Sequence, residues 1–155
     1  MRHHLPVPLA GQIAAIGALA FVLAPSTSSA DAAGTSTVRV SVASFRNQDG
    51  YFGCQLIDDS SAFPEGRQGR GVRKAVSGTR GTCVFKDVAP GTYAVAVMHD
   101  ENGNRKLDKS LFGVPTEGYG VSNNKTYAMR APRWTESKFS VAAGESKSLN
   151  VRLRY

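Results

Sequence analysis

Residues 90–99 read P-G-T-Y-A-V-A-V-M-H, and the apolar period in this stretch is two. Tyr93, Val95 and Val97 fall on one side of an extended chain, and Ala94, Ala96 and Met98 on the other. Pro90-Gly91 is a turn signal that starts the run. A strand that is apolar on both faces belongs inside a sheet rather than at its edge. The same period continues outward in both directions. Upstream, Val38, Val40 and Val42 alternate with Arg39 and Ser41, and after an Asn47-Gln48-Asp49-Gly50 turn, Phe52, Cys54 and Leu56 share one parity. A short strand is expected near Val72 to Val76, and Cys83 with Phe85 repeats the inward parity. Downstream, Phe139 and Val141, a turn at Ala143-Gly144-Glu145, and Leu149, Val151 and Leu153 read as a closing hairpin, with Arg152 and Arg154 facing outward. No stretch carries a helical period. About seven short strands with period-two patterning predict an all-β chain folded as a single antiparallel β-sandwich, transthyretin-like or immunoglobulin-like, with one long ordered loop.

The first 30 residues read differently. Arg2 gives a basic start, Leu9 to Ala24 is apolar apart from Gln12, Pro25 breaks the run, and Ser28-Ser29-Ala30 places small residues at a cleavage position. This is the pattern of a secretory signal. The apolar run is shorter than the ~20 residues a membrane span requires, so no transmembrane segment is expected after signal removal. Residues 1–30 are therefore expected to be removed, 31–37 to form a flexible leader and 38–155 to form the sandwich. An exported, periplasmic or secreted chain meets oxidising conditions. Cys54 and Cys83, the two cysteines of the chain, are accordingly expected to pair. Closing a loop of about 30 residues stabilises a fold by roughly 3–4 kcal/mol in the chain-entropy model.

The formal charge is +7. Gly66 to Lys74 is Gly-rich and basic, with Arg67, Arg70, Arg73 and Lys74, but it lacks a Walker pattern and a following helix, so it reads as a basic loop and not a phosphate cradle. Nucleic acid is not an expected partner.

The chemistry-bearing segment runs from His99 to Asn124. Asp100, Asn102, Asn104 and Asp108 occupy positions 1, 3, 5 and 9 of a calcium-loop template, and Lys106 would offer its carbonyl at position 7. Hard Ca²⁺ takes six to eight oxygens, and alternate residues of a tight turn can present them. Position 6 is Arg105 where such loops have Gly, and position 12 is Leu111 instead of Glu. Glu117 could complete the site only if the chain folds back. The other reading is that Asp and Asn cap their own backbone in Asx-turns without an ion. Both readings are open on the residues alone. His99, the one histidine left after signal removal, shares the parity of the core positions and reads as a partly buried, hydrogen-bonded side chain, the alternative being a binding residue, as ligand or base, beside Tyr119 and Trp134. Tyr119, Trp134, Tyr127 and Phe112 could form an aromatic platform for a glycan or peptide, or cover a sandwich edge. Asn124-Lys125-Thr126 is a glycosylation sequon.

The stretches F-K-D-V-A-P-G-T-Y-A-V-A-V-M-H-D-E-N-G-N-R-K-L-D and G-V-P-T-E-G-Y-G-V-S-N-N, with a weaker A-P-R-W-T-E-S-K-F, resemble a family of exported bacterial proteins catalogued as domain of unknown function family 2141. The motif pair H-D-x-N-x-N-x-x-x-D and G-x-P-x-E-G-Y-G carries the resemblance. It implies a single-domain sandwich similar to transthyretin-like and carboxypeptidase-regulatory modules, and it implies no activity. The function expected is that of a non-enzymatic envelope protein using the long loop as its binding surface, toward a protein or glycan. The alternatives are binding of envelope polyanions through the basic loop and Arg152/Arg154, or a small hydrolase of transthyretin-like fold. The hydrolases that resemble this fold use several histidines and a Tyr-Arg-Gly-Ser terminus, whereas this chain ends in Val151 to Tyr155 and keeps His99 alone.

Overall fold

The computed structural model describes residues 34–66, 69–125 and 130–155. The expected signal, its cleavage position, Arg67, Thr126 and Tyr127 lie outside them. Eight strands form the sandwich: β1 (Ser36–Ala43), β2 (Tyr51–Ile57), β3 (Arg70–Ala75), β4 (Arg80–Val88), β5 (Gly91–Asp100), β6 (Gly118–Val121), β7 (Phe139–Val141) and β8 (Ser146–Arg152). One sheet has the order β4-β1-β8; the other has the order β3-β2-β5-β6, with β7 pairing the first three residues of β5. As its doubly apolar pattern requires, β5 lies inside its sheet, paired to β2 along Ala94–Asp100 and to β6 along Ala96–His99.

The inward parities of the sequence meet between the sheets. Val38, Val40 and Val42 of β1, Phe52, Cys54 and Leu56 of β2, Cys83 and Phe85 of β4, Val95 and Val97 of β5 and Val151 of β8 form the buried cluster. Cys54 and Cys83 are bonded through this layer, joining β2 of one sheet to β4 of the other with Cα atoms 6.4 Å apart. Burial of these aliphatic and aromatic side chains stabilises the fold by about 1.5–3 kcal/mol each before chain entropy is counted.

Three local expectations are corrected. β7 and β8 do not form a hairpin, because β7 pairs with β5 and β8 with β1, in opposite sheets. The β1–β8 pair is parallel, unlike the other strand pairs. The start of β1 explains both. The Ser36 hydroxyl donates to Ala142 O (2.6 Å) and accepts from Glu145 N (3.1 Å), while Thr37 N donates to Glu145 O (2.9 Å). The 142–145 turn is thereby fastened beside the first residue of β1, so the chain leaving it must run along β1 in the same direction. For the same reason the leader ends before Ser36, which is 1% exposed. A single helical turn, Trp134–Ser137, precedes β7; a four-residue turn is too short to show as a period.

Replacing both cysteines, Cys54→Ser with Cys83→Ser, should lower the unfolding free energy in urea by about 3–4 kcal/mol, the loop-closure value for this separation of 29 residues. A change below about 1 kcal/mol would mean that the bond does not constrain the unfolded chain.

Candidate functional site

The end of β5 and the loop to β6 build one continuous polar assembly. His99 is fully buried. Its Nε2 lies 2.8 Å from Asp49 O, which can only accept, so that nitrogen carries the proton. Its Nδ1 then accepts from the Tyr155 hydroxyl at 2.7 Å, and that hydroxyl itself accepts from Arg46 N at 3.1 Å. Both ring nitrogens are thus hydrogen-bonded, and Nδ1 also stands 3.5 Å from Glu101 Oε1. Arg46 grips Glu101 through two bonds of 2.7 Å, lies 4.5 Å over the Tyr155 ring and donates to Thr116 O. This bidentate pair holds the Glu101 carboxyl below the usual carboxylate range, and burial pushes the Tyr155 phenol up.

Asp100 is also fully buried. Its Oδ2 accepts from Arg73 Nη2 at 2.9 Å and from Arg105 N at 3.1 Å, and the Arg73 guanidinium lies 3.5 Å over the Tyr51 ring. Its Oδ1 is buried without a donor. Asn102 Oδ1 accepts from Asn104 N, and Asn104 Oδ1 from Lys106 N, which are Asx-turns; both side-chain amides donate to the Asp108 carboxylate. The sharp turn that the template needs at position 6 is made all the same, since Arg105 takes φ 65° after Gly103 at φ 78°.

The chain does fold back at Glu117, and this residue couples the two motifs. Its Oε1 accepts from Glu101 N (2.8 Å) and its Oε2 from Asp108 N (3.1 Å), with the side chain 4% exposed. Glu117 therefore closes the loop by backbone capture. The rest of its motif clears a path for the carboxyl-terminal segment. A Cβ at Gly118 would stand 2.6 Å from the Tyr155 ring, and one at Gly120 would stand 2.7 Å from Val151 Cγ1. Between them Tyr119 exchanges backbone bonds with Arg154 at 2.9 and 2.8 Å.

Asp100, Asn102, Asn104, Asp108 and Glu117 are thus linked through side-chain and backbone bonds, and Lys106 contributes its N–H. Among the described residues, no three His, Cys, Asp or Glu side chains converge as a metal-binding group. The aromatic residues are distributed differently. Trp134 meets Phe63 edge-on at 6.0 Å, Tyr119 is half-buried in β6, and Phe112 stands at the loop tip, 92% exposed. Of the basic segment, Arg70 and Lys74 donate to carbonyls of β4, at Lys86, Asp87 and Thr82, and Arg73 holds Asp100. Arg46, Glu101 and Tyr155 escape a motif-based reading. The usable signal for Tyr155 is its parity with Val151 and Leu153.

Glu101 has a folded pKa below its unfolded one, so its contribution is present above the ordinary value of 4.5 and is lost as pH falls through the folded value. Tyr155, raised above 10.0, contributes below that value and loses its contribution as pH climbs through the folded pKa. Thermal unfolding across pH should therefore fall off on both sides, and Glu101→Gln should flatten the acid limb while leaving the alkaline limb in place. An unchanged acid limb in Glu101→Gln would contradict this assignment.

No curated protein matches the chain, and no solved structure does. The family model described as an uncharacterized protein conserved in bacteria (DUF2141) matches residues 40–149, a span running from β1 to β8 and containing both loop motifs, so the chain belongs to the DUF2141 family.

Proposed function

We propose that this protein is an exported, non-catalytic binding module of the bacterial envelope whose 100–118 loop is the recognition surface. The observation that carries the proposal is the construction of that loop. Glu117, Arg46 and the Asn102–Asn104–Asp108 bonds fix its base, while its tip leaves Leu111 and Phe112 102% and 92% exposed. A rigid scaffold carrying one ordered, projecting loop is the usual arrangement for recognition by a sandwich. The non-catalytic reading is supported by His99, whose two ring nitrogens are both engaged inside the core and offer no face to a substrate. Binding of the 31–155 chain to isolated envelope fractions should disappear when residues 109–114 are replaced by a Gly/Ser linker that leaves the melting temperature unchanged. Equal retention of both forms would refute the assignment of the loop.

A second reading, that Ca²⁺ orders the loop, is favoured by Asp100. A carboxylate oxygen buried without a donor is costly unless a partner is supplied. Rotation of the Asn102 and Asn104 amides would turn their oxygens toward an ion that also takes Asp100, Asp108 and the Lys106 carbonyl, giving the all-oxygen set calcium prefers. A ligand confined to the folded state raises stability by RT ln(1 + [L]/Kd), about 2.7 kcal/mol at a hundredfold excess over Kd. A Ca²⁺ titration followed by thermal unfolding, with Mg²⁺ as control, should then give a calcium-selective rise that Asp108→Ala removes. A flat response would leave the Asx-turns as the whole explanation of the loop.

A further inference from the structure

The tip of this loop is a hairpin of unusual composition. Asp108 O accepts from Thr116 N at 2.8 Å, Lys109 bridges to Pro115, and Ser110 N donates to Val114 O at 2.8 Å. Gly113 N donates back to Ser110 O at 2.9 Å, and Gly113 takes φ 75°. This is the three-residue hairpin loop closed by a left-handed glycine. Its two outermost positions ordinarily hold Pro, Asp, Asn, Ser or Gly. Here they hold Leu111 and Phe112, 102% and 92% exposed, with Val114 at 47% beside them. The other exposed large hydrophobics among the described residues, Tyr51 and Tyr155, carry a hydroxyl and are 39% and 41% exposed. Turn chemistry gives no reason for Leu-Phe at this place, and folding gains nothing from it.

We infer that the Leu111–Phe112 tip is an insertion point for an anionic phospholipid bilayer, with Arg105, Lys106 and Lys109 holding the headgroups. This inference rests on the loop being the binding surface and names its partner. The shape favours a bilayer: the apolar pair projects from a convex turn, which suits a fluid apolar medium better than a fixed pocket. The charge is complementary, because Lys109 is exposed two positions before Leu111 and Arg105 and Lys106 are exposed earlier in the same loop, on a chain whose formal charge of +7 falls to +6 once Arg2 is removed with the signal. Lys109 pairs with Glu65 at 3.2 Å, but both side chains are open to solvent and such a pair exchanges readily for a phosphate. The nearby carboxylates of Asp108 and Glu117 are occupied within the loop. Lys109 and Leu111 are two residue steps apart, at most about 7 Å along the chain, which matches an apolar tip sunk ~5–10 Å into the headgroup and acyl boundary with Lys109 at headgroup level.

The test is sedimentation of residues 31–155, which contain every strand of the sandwich, with vesicles of phosphatidylethanolamine and phosphatidylglycerol against vesicles of phosphatidylcholine alone. Binding should be confined to the anionic vesicles. It should weaken about fivefold for each cation removed by Lys106→Gln and Lys109→Gln, and decline as salt rises. Leu111→Ser with Phe112→Ser should weaken it by more than about tenfold without moving the melting temperature, since neither side chain packs in the fold. No binding to anionic vesicles, or equal binding by the double serine variant, would overturn the inference. Tip-dependent retention by envelope fractions without vesicle binding would overturn it in favour of a protein partner and leave the binding-module reading standing. Loss of tip dependence in both assays would remove that reading as well.

Discussion

The Glu117 carboxylate is the constraint on which the functional end of this protein depends. Its two oxygens capture the backbone N–H groups of Glu101 and Asp108, which stand on opposite sides of the loop base. A buried carboxylate accepting two backbone bonds is stable only where both donors are held in place, so the contact ties the end of β5, the Asx-turns and the entry to β6 into one unit. The glycines that follow let the carboxyl-terminal residues lie against β6, which brings Tyr155 to His99. Arg46, reaching Glu101 and Thr116, adds a further tie from the loop after β1. The two family motifs are therefore two halves of a single brace.

Much of the scaffold was legible in the sequence because period two reports which side of a strand is buried. The parities of Val38 to Val42, of Phe52 to Leu56 and of Cys83 with Phe85 placed the core and the disulfide correctly. The doubly apolar pattern of β5 placed it inside a sheet. What parity cannot report is the sheet to which a strand belongs. β7 and β8 read as a hairpin because a turn joins them, whereas the actual arrangement is fixed by the Ser36 hydroxyl gripping that turn from over a hundred residues away in sequence.

The candidate site was legible as a segment but less so in its roles. Residue spacing identified Asp100, Asn102, Asn104 and Asp108, and geometry shows them largely occupied with one another and with the backbone. Glu117 looked like a distant ligand and acts as a brace. The basic segment read as a loop, but as a strand it sends Arg70 and Lys74 to carbonyls of β4 and Arg73 to Asp100, which pins these cations in place while they stay exposed. Leu111 and Phe112 carry the opposite lesson. Apolar residues in a β protein are ordinarily assigned to the core, and only the register of the hairpin, set by Ser110, Val114 and Gly113, shows that these two face water.

The scaffold and the exposed loop tip are thus separable: a disulfide-joined core, a polar brace at its end, and an apolar tip that contributes nothing to either. Amide hydrogen exchange at Glu101 and Asp108 tests this account most directly, in the wild-type chain and in Glu117→Gln. The account predicts protection at both amides comparable to the paired amides of β5, and a fall of about tenfold or more in the variant, which keeps only one acceptor oxygen. Free exchange at these amides in the wild-type chain, or protection unaltered by Glu117→Gln, would contradict it.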